Sequence, residues 1–345
     1  MGTGGSRWTP WRVGIGAVLL LVVLGLLYQR FATRPPPAPR VVTIYAFSIM
    51  QEVLEEALLP AFRERFSRAT GERVEFAVTY GGSAWITDEV LRRVGAEIVI
   101  LSSEIDAYRL VEGGLLGGAI WRHLPSGGII SASPIVLAVR EGNPLDLRDF
   151  ADLARPGVEV LHADPLTSGA GEWSVLAIHA TTLPAAGGGV VSRPVALTDL
   201  LPNVIGMPSS AREMRREFER GVGDVMITYE IEARATAGAE PVYPARTMLS
   251  RHVVCKIREH IDPERGAVID ALLEFLFTQE AQAELTRHGF RPGDVVSDGE
   301  RPETRWLTLD DLGGARKARR EVLDPLWREG IFSGETGRES SERGR

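Results

Sequence analysis

VVTIYAFSIMQEVLEEALLPAFRERFSRATGERVEFAVTYGGS, residues 41–83, decides the fold class. Val41 to Ala46 is a short run rich in β-branched residues and reads as a buried strand. Val53, Leu54, Leu58, Leu59, Phe62 and Phe66 then fall at helical spacing, which predicts a helix over Met50 to Phe66. Val74 to Val78 returns to strand character, completing a strand–helix–strand opening, and Tyr80-Gly81-Gly82-Ser83 follows as a loop of small residues. Working outward, the alternation continues. Helices are predicted over Thr87–Arg93, Ile105–Glu112, Asp149–Ala154 and from Trp173 to Ala180, with a helical pair over Ala267–Phe277 and Ala281–His288. Strands are predicted over Glu97–Leu101, Ile135–Arg140, Val158–His162 and Gly223–Thr228. Such alternation implies an α/β fold with mostly parallel sheets flanked by helices. Gly187 to Gly189 reads as a flexible loop, and 334–345 as a disordered tail.

The chain has 345 residues, 44% hydrophobic and 25% charged, which leaves room for about two domains and excludes wholesale disorder or a multi-pass membrane protein. Its net charge of −7 is unevenly placed. Residues 1–40 hold five arginines and no acid, so the rest sets 34 basic against 46 acidic side chains, a balance of −12. That sign argues against a nucleic-acid partner. The one cysteine, Cys255, excludes an intramolecular disulfide framework and a cysteine-rich metal site.

Val13 to Tyr28 contains sixteen residues without charge, flanked by Arg7, Arg12 and Arg30, the pattern of an export signal. No small-residue cleavage site follows Leu27, so an uncleaved signal anchor holding the protein to the membrane is expected, with a cleaved secretory signal as the alternative. Thr33 to Arg40, with four prolines, reads as a stiff linker. The exported part then begins near residue 41.

In open α/β sheets, ligands bind where strand ends lead into helix N-termini. Three loops of that kind share one chemistry: Tyr80 to Ser83, Asp164 to Gly171 and Pro208 to Arg212. Each offers small residues, serine hydroxyls and backbone N–H groups at a helix start, where donors are unpaired and the helix dipole is positive. Together they suit a small oxyanion and require no net positive charge on the protein.

Those loops resemble the sulfate-binding proteins of bacterial ABC transporters. The resemblance rests on Tyr80-Gly81-Gly82-Ser83, Pro165 to Trp173, Ser209-Ser210-Ala211-Arg212, Arg220 to Ala233, Gln279 to Gln282 and Gly289 to Pro292, in order across residues 41–333. It implies a two-lobed periplasmic-binding-protein-like fold, with lobe I at 41–135 and 244–333, lobe II at 136–243 and the ligand in the cleft between them. By the same resemblance, Ser83, Gly169, Ala170 and Ala211 offer backbone donors, Ser168 and Tyr229 hydroxyls, and Arg212 electrostatic backing. Ser48 stands where the family usually has aspartate, Tyr229 where an indole is usual, Ala170 for a glycine and Glu172 where arginine is frequent. Glu172 reads either as a solvated acid at a helix start or as an acceptor for a protonated ligand. The implied ligand is sulfate, with molybdate, tungstate, phosphate or an organic anion as alternatives. The implied partners are ABC permease subunits and the membrane; the alternative role is a receptor or sensor for a partner protein. No cofactor and no metal are expected.

A catalytic reading finds little support. The six histidines show no H-E-x-x-H spacing, and no G-x-S-x-G elbow surrounds Ser168, although His162 lies close enough in sequence to be considered as its base. Asp224 and Glu230 read as structural hydrogen-bond partners, and Trp173 as a core residue.

Overall fold

The computed structural model describes residues 11, 19–25, 40–117, 120–184, 192–257, 263–295, 301 and 303–328. The chain divides into Met1–Pro39 and Arg40–Arg345. In the first unit residues 19–25 are helical. Among the described residues no helix is long and apolar enough to cross a membrane. Most of the apolar stretch at 13–28, the loop at 187–189 and the tail at 334–345 lie outside the described residues.

The second unit opens with β1 (Arg40–Phe47), followed by helical backbone over residues 48–70 that ends in α1 (Leu59–Thr70). The apolar spacing read from the sequence buries Val53, Leu54, Leu58 and Phe62. Complete burial of a side chain the size of Phe62 stabilises by roughly 1.5–3 kcal/mol. Gly71 ends α1 in the left-handed region at φ +73°, donating its N–H to the Ser67 carbonyl at 2.9 Å. A side chain there would be strained, which is why glycine stops the helix.

β1 lies between β2 (Val74–Gly81) and β3 (Ile98–Leu101), parallel to both. Phe47 faces Gly81, and Ala46 faces Ile100. All three strands therefore finish at one edge of the sheet, delivering Ser48, Gly82 and Ser102 side by side. A second parallel set comprises β5 (Val160–His162) with β6 (Val204–Gly206) and β7 (Val225–Tyr229); His162 faces Ile227.

Two long strands join the sets. β4 (Ile129–Arg140) pairs antiparallel with β9 (Arg246–Lys256) through Pro134, and with β7 from Ile135 onward. The order is β2-β1-β3-β9-β4-β7-β5-β6, with β8 (Ala239–Val242) on β4 and β10 (Arg305–Leu307) on β9. The sheet is thus mixed, correcting the expectation of mostly parallel sheets. The cause is β9, which the sequence reading left unassigned: it runs back between β3 and β4 and pairs antiparallel with each. β4 also begins six residues before its predicted start. Its polar first half is tolerated because Ser131 lies 2.8 Å from His252 Nδ1, and Thr247 on β9 donates its hydroxyl to the Ile135 carbonyl at 2.6 Å.

The helices that place the loops are α2 (Ser83–Leu91), α3 (Glu104–Glu112), α4 (Gly169–Ala180), α5 (Ala211–Glu219) and α6 (Glu230–Ala235). Near the C-terminus α7 (Pro263–Leu276) and α8 (Gln279–Arg287) form the expected pair. Asp224 accepts the Glu159 N–H at 2.9 Å. Glu230 accepts from Arg291 at 2.6 and 2.8 Å and from the Tyr243 hydroxyl. Both acids therefore have the structural roles read from the sequence.

Candidate ligand-binding site

Three helices start where the two strand sets meet. Ser83, Gly169 and Ala211 are the first residues of α2, α4 and α5, so their N–H groups have no acceptor within their own helices. α2 and α4 approach closely. A Cβ on Gly169 would lie 1.9 Å from Ser102 Oγ and 3.0 Å from Ser83 Cβ. Only glycine permits that contact. At Gly82 a Cβ would lie 2.1 Å from the Thr167 carbonyl oxygen and 2.7 Å from that of Ser209. The Trp85 N–H donates to the same Thr167 oxygen at 3.0 Å, and the Thr167 hydroxyl donates to Ser209 O at 3.1 Å. The three loops read from the sequence are therefore in mutual contact.

The side chains are held from several directions. Ser83 Oγ donates to Asp106 at 2.6 Å and accepts the Ser102 N–H at 3.0 Å. Ser168 caps α4, its hydroxyl oxygen accepting the Ala170 N–H at 3.2 Å. The Ala170 donor is thus already engaged by its neighbour, and what Ser168 retains for a ligand is its hydroxyl proton. Ser210 caps α5 by accepting from the Glu213 N–H at 3.2 Å. Arg212 donates Nε to the Ser48 carbonyl at 3.2 Å and also pairs with Glu52. Tyr229 stands at the start of α6, its ring 6.2 Å from Phe47, and burial raises its pKa. Its hydroxyl neighbours that of Ser102; neither makes a hydrogen bond of ordinary geometry among the described residues.

The predicted residues occupy two levels. Ser48 and Arg212 line a cleft of about 510 Å³ together with Gly82, Trp85, Thr167 and Ser209. Ser83, Ser168, Gly169, Ala170, Ala211 and Tyr229 are all buried. Two residues that the sequence reading did not select belong to the same cluster: Ser102, just after the carboxyl end of β3, and Asp106, in the first turn of α3. The run Leu101-Ser102-Ser103-Glu104 carried the signal used elsewhere, small hydroxyl residues between a strand and a helix; Ser103 caps α3 by accepting from Ile105 N–H at 2.9 Å.

Glu172 is not the solvated acid that one sequence reading gave. It is 1% exposed, and burial followed by the nearby Asp106 raises its pKa well above the carboxylate range, with Arg109 opposing. Trp173 is a core residue as read, donating its indole N–H to the Ser102 carbonyl at 2.9 Å. His162 is buried with Nδ1 2.7 Å from the Ala163 carbonyl oxygen, and burial lowers its pKa to about 4. A neutral, weakly basic imidazole is a poor activator of the Ser168 hydroxyl.

The arrangement gathers hydroxyls and helix-start N–H groups in the buried floor beneath the cleft, the donor chemistry that suits a desolvated anion. A family model described as bacterial extracellular solute-binding protein matches residues 42–291. A sulfate-binding protein of Synechococcus elongatus is 31% identical over 315 residues, covering 87% of this chain and 89% of the relative. A thiosulfate-binding protein of Escherichia coli is 27% identical, covering 75% and 81%. Among solved structures, the sulfate-binding protein SubI from Mycobacterium tuberculosis superposes with a TM-score of 0.68 at 31% identity, covering 83% of this chain and 99% of that one.

Proposed function

The chain belongs to the bacterial extracellular solute-binding protein family, and on that premise we propose that it is the extracytoplasmic capture component of an ABC importer and binds sulfate. The observation that carries the reading is the convergence of three helix N-termini, at Ser83, Gly169 and Ala211, in a chain with extensive likeness to sulfate-binding proteins. Its role is binding rather than catalysis.

Sulfate at neutral pH carries no proton, so a site made of donors suits it. The N–H groups of Ser83, Gly169 and Ala211 with the hydroxyls of Ser168 and Tyr229 supply donors, while Ser48 and Arg212 close the outer side. Ala170 contributes by orienting Ser168. Hydrogen bonds to a charged group are worth roughly 1.5–3 kcal/mol each. A handful, less the loss of hydration and the work of closure, gives about −8 kcal/mol, a micromolar complex.

Lobe I comprises 41–135 and 244–333, and lobe II 136–243. The change of β4's partner from β9 at Pro134 to β7 at Ile135 supports that boundary. The location is periplasmic or extracytoplasmic. The five arginines and the uncharged stretch at 13–28 support an uncleaved signal anchor, and permease subunits are the partners that receive the ligand. N-terminal sequencing of the membrane-bound protein tests the anchor: an intact leader supports it, a cleaved one contradicts it.

Calorimetric titration with sulfate, thiosulfate, molybdate, tungstate and phosphate tests the ligand. Sulfate should bind at a single site with a Kd of about micromolar order. Thiosulfate is the informative competitor, given the thiosulfate-binding relative. Tighter binding of any other ion than of sulfate contradicts the ligand assignment, and no binding by any of them contradicts the oxyanion reading itself.

A further inference from the structure

Glu172 lies on the first turn of α4, beside the proposed anion site, and its Oε2 has no hydrogen-bond partner among the described residues although the residue is 1% exposed. From α3, Asp106 and Arg109 face it; from α2, Asp88; from the helical stretch at 319–323, Arg319; and from β7, Tyr229. Arg109 is already committed, pairing with Asp106 at 3.2 Å and with Asp88. Asp106 is fully buried and accepts from Ser83, whose N–H belongs to the anion site. Two buried carboxyls and an incoming dianion are thus set against cations that already have acidic partners. Arg319 pairs with Asp324 at 3.3 Å.

α4 and α3 belong to different lobes in the proposed division, so Glu172 meets Asp106 and Arg109 when the cleft is closed. With the lobes apart, water reaches the carboxyl and it ionises normally. In the closed form an ionised Glu172 would be buried without a partner, against Asp106 and the bound anion. Such a charge is more costly to bury than a proton is to take up.

Resting on the sulfate reading above, we infer that Glu172 is a positioning residue that carries a proton in the closed complex, so that each sulfate is captured together with one proton. Sulfate itself takes up no proton near neutral pH, and burial holds His162 and His252 neutral there by lowering their pKa. A protonated carboxyl also crowds Asp106 less, and Asp106 fixes the Ser83 hydroxyl and with it the start of α2.

The sign follows from linkage. A carboxyl whose pKa rises on closure favours binding below its open-state value and weakens it progressively as pH rises toward the closed-state value. Between the open-state and closed-state values the Kd should therefore rise with pH, by no more than about tenfold per pH unit, the limit for one proton. Isothermal calorimetry of the full chain with sulfate at pH 7.5, in Tris and in Bicine with chloride as counter-ion, reads proton uptake from the difference in apparent enthalpy. About one proton per sulfate is expected for the wild-type protein. Glu172→Gln, which keeps the shape of the protonated acid, should abolish the uptake and flatten the pH profile. Glu232 is the control. It is also buried, burial raises its pKa to about 7, and Arg215 lies 3.8 Å away. Glu232→Gln should retain the uptake. Sulfate binding without proton uptake in the wild-type protein overturns this inference alone. So does uptake that survives Glu172→Gln, or uptake lost in Glu232→Gln; the last result decides the matter even where the Glu172 variant does not fold. Absence of sulfate binding in every buffer overturns the sulfate reading and this inference with it.

Discussion

Gly82 shows how much one missing methyl group can decide. Its φ of −67° suits any residue, so alanine would not strain the backbone. An added Cβ would nevertheless strike two carbonyl oxygens of the facing loops, at Thr167 and Ser209. Backbone atoms yield poorly, and overpacking of this kind costs roughly 1–3 kcal/mol. Gly82→Ala should therefore weaken sulfate binding by about 10- to 100-fold while the melting temperature stays near that of the wild-type protein, as read by calorimetry and thermal unfolding. Ser168 has two roles, helix cap and donor. Ser168→Ala should lower stability by about 1 kcal/mol and affinity by about 10- to 100-fold, read by urea unfolding and titration. That Ser83, Gly169 and Ala211 open helices was legible, because a run of glycine, serine and alanine between a strand and a helical pattern marks a helix start locally. Ser102 and Asp106 were harder to select, since their part depends on β3 ending level with β1 and on α3 turning back over Ser83. Glu172 was misread in one of its two readings because the sequence near a helix start does not tell which carboxyl another element will cover.

At the scale of elements, the opening strand–helix–strand stood out because its periodicity changes cleanly from strand to helix and back. β9 did not. Its residues, RTMLSRHVVCK, mix six polar side chains with apolar ones, and Arg246, Thr247, Ser250 and His252 among them are buried. Their partners come from elsewhere: Thr247 reaches Ile135, Ser250 reaches the Ser102 carbonyl at 2.8 Å, and His252 contacts Ser131. A strand buried on both faces loses the alternation that reveals it. His252 makes the same point in pH. Burial lowers its pKa to about 3, so the folded protein binds its proton less readily than the unfolded chain, and stability falls as pH drops below about 6.5. His252→Asn should make the decline between pH 6.5 and 4 shallower by about 1.4 kcal/mol per pH unit, measured by urea unfolding across that range. Glu230 and Arg291 tie α6 to the segment after α8. Arg291→Ala should lower stability by about 3 kcal/mol, because among the described residues the 2%-exposed carboxylate then keeps Tyr243 and Arg234 alone. A loss under 1 kcal/mol in the same assay would show that those two suffice.

At the scale of the molecule, charge and function are separate matters. A balance of −12 after residue 40 argues against polyanion partners without opposing a small anion, because recognition is assigned to backbone dipoles and hydroxyls at close range. The fold class was legible from alternation, but the mixed order of the sheet was not, since it depends on how β4 and β9 pass between the two strand sets. The most direct test of the central claim is a crystal structure of the sulfate complex. Sulfate oxygens are expected within about 3 Å of the N–H groups of Ser83, Gly169 and Ala211 and of the Ser168 hydroxyl. Sulfate seated elsewhere, for instance among Arg148, Arg155 and Arg193 in the separate surface pocket, with these helix N-termini empty, would contradict it.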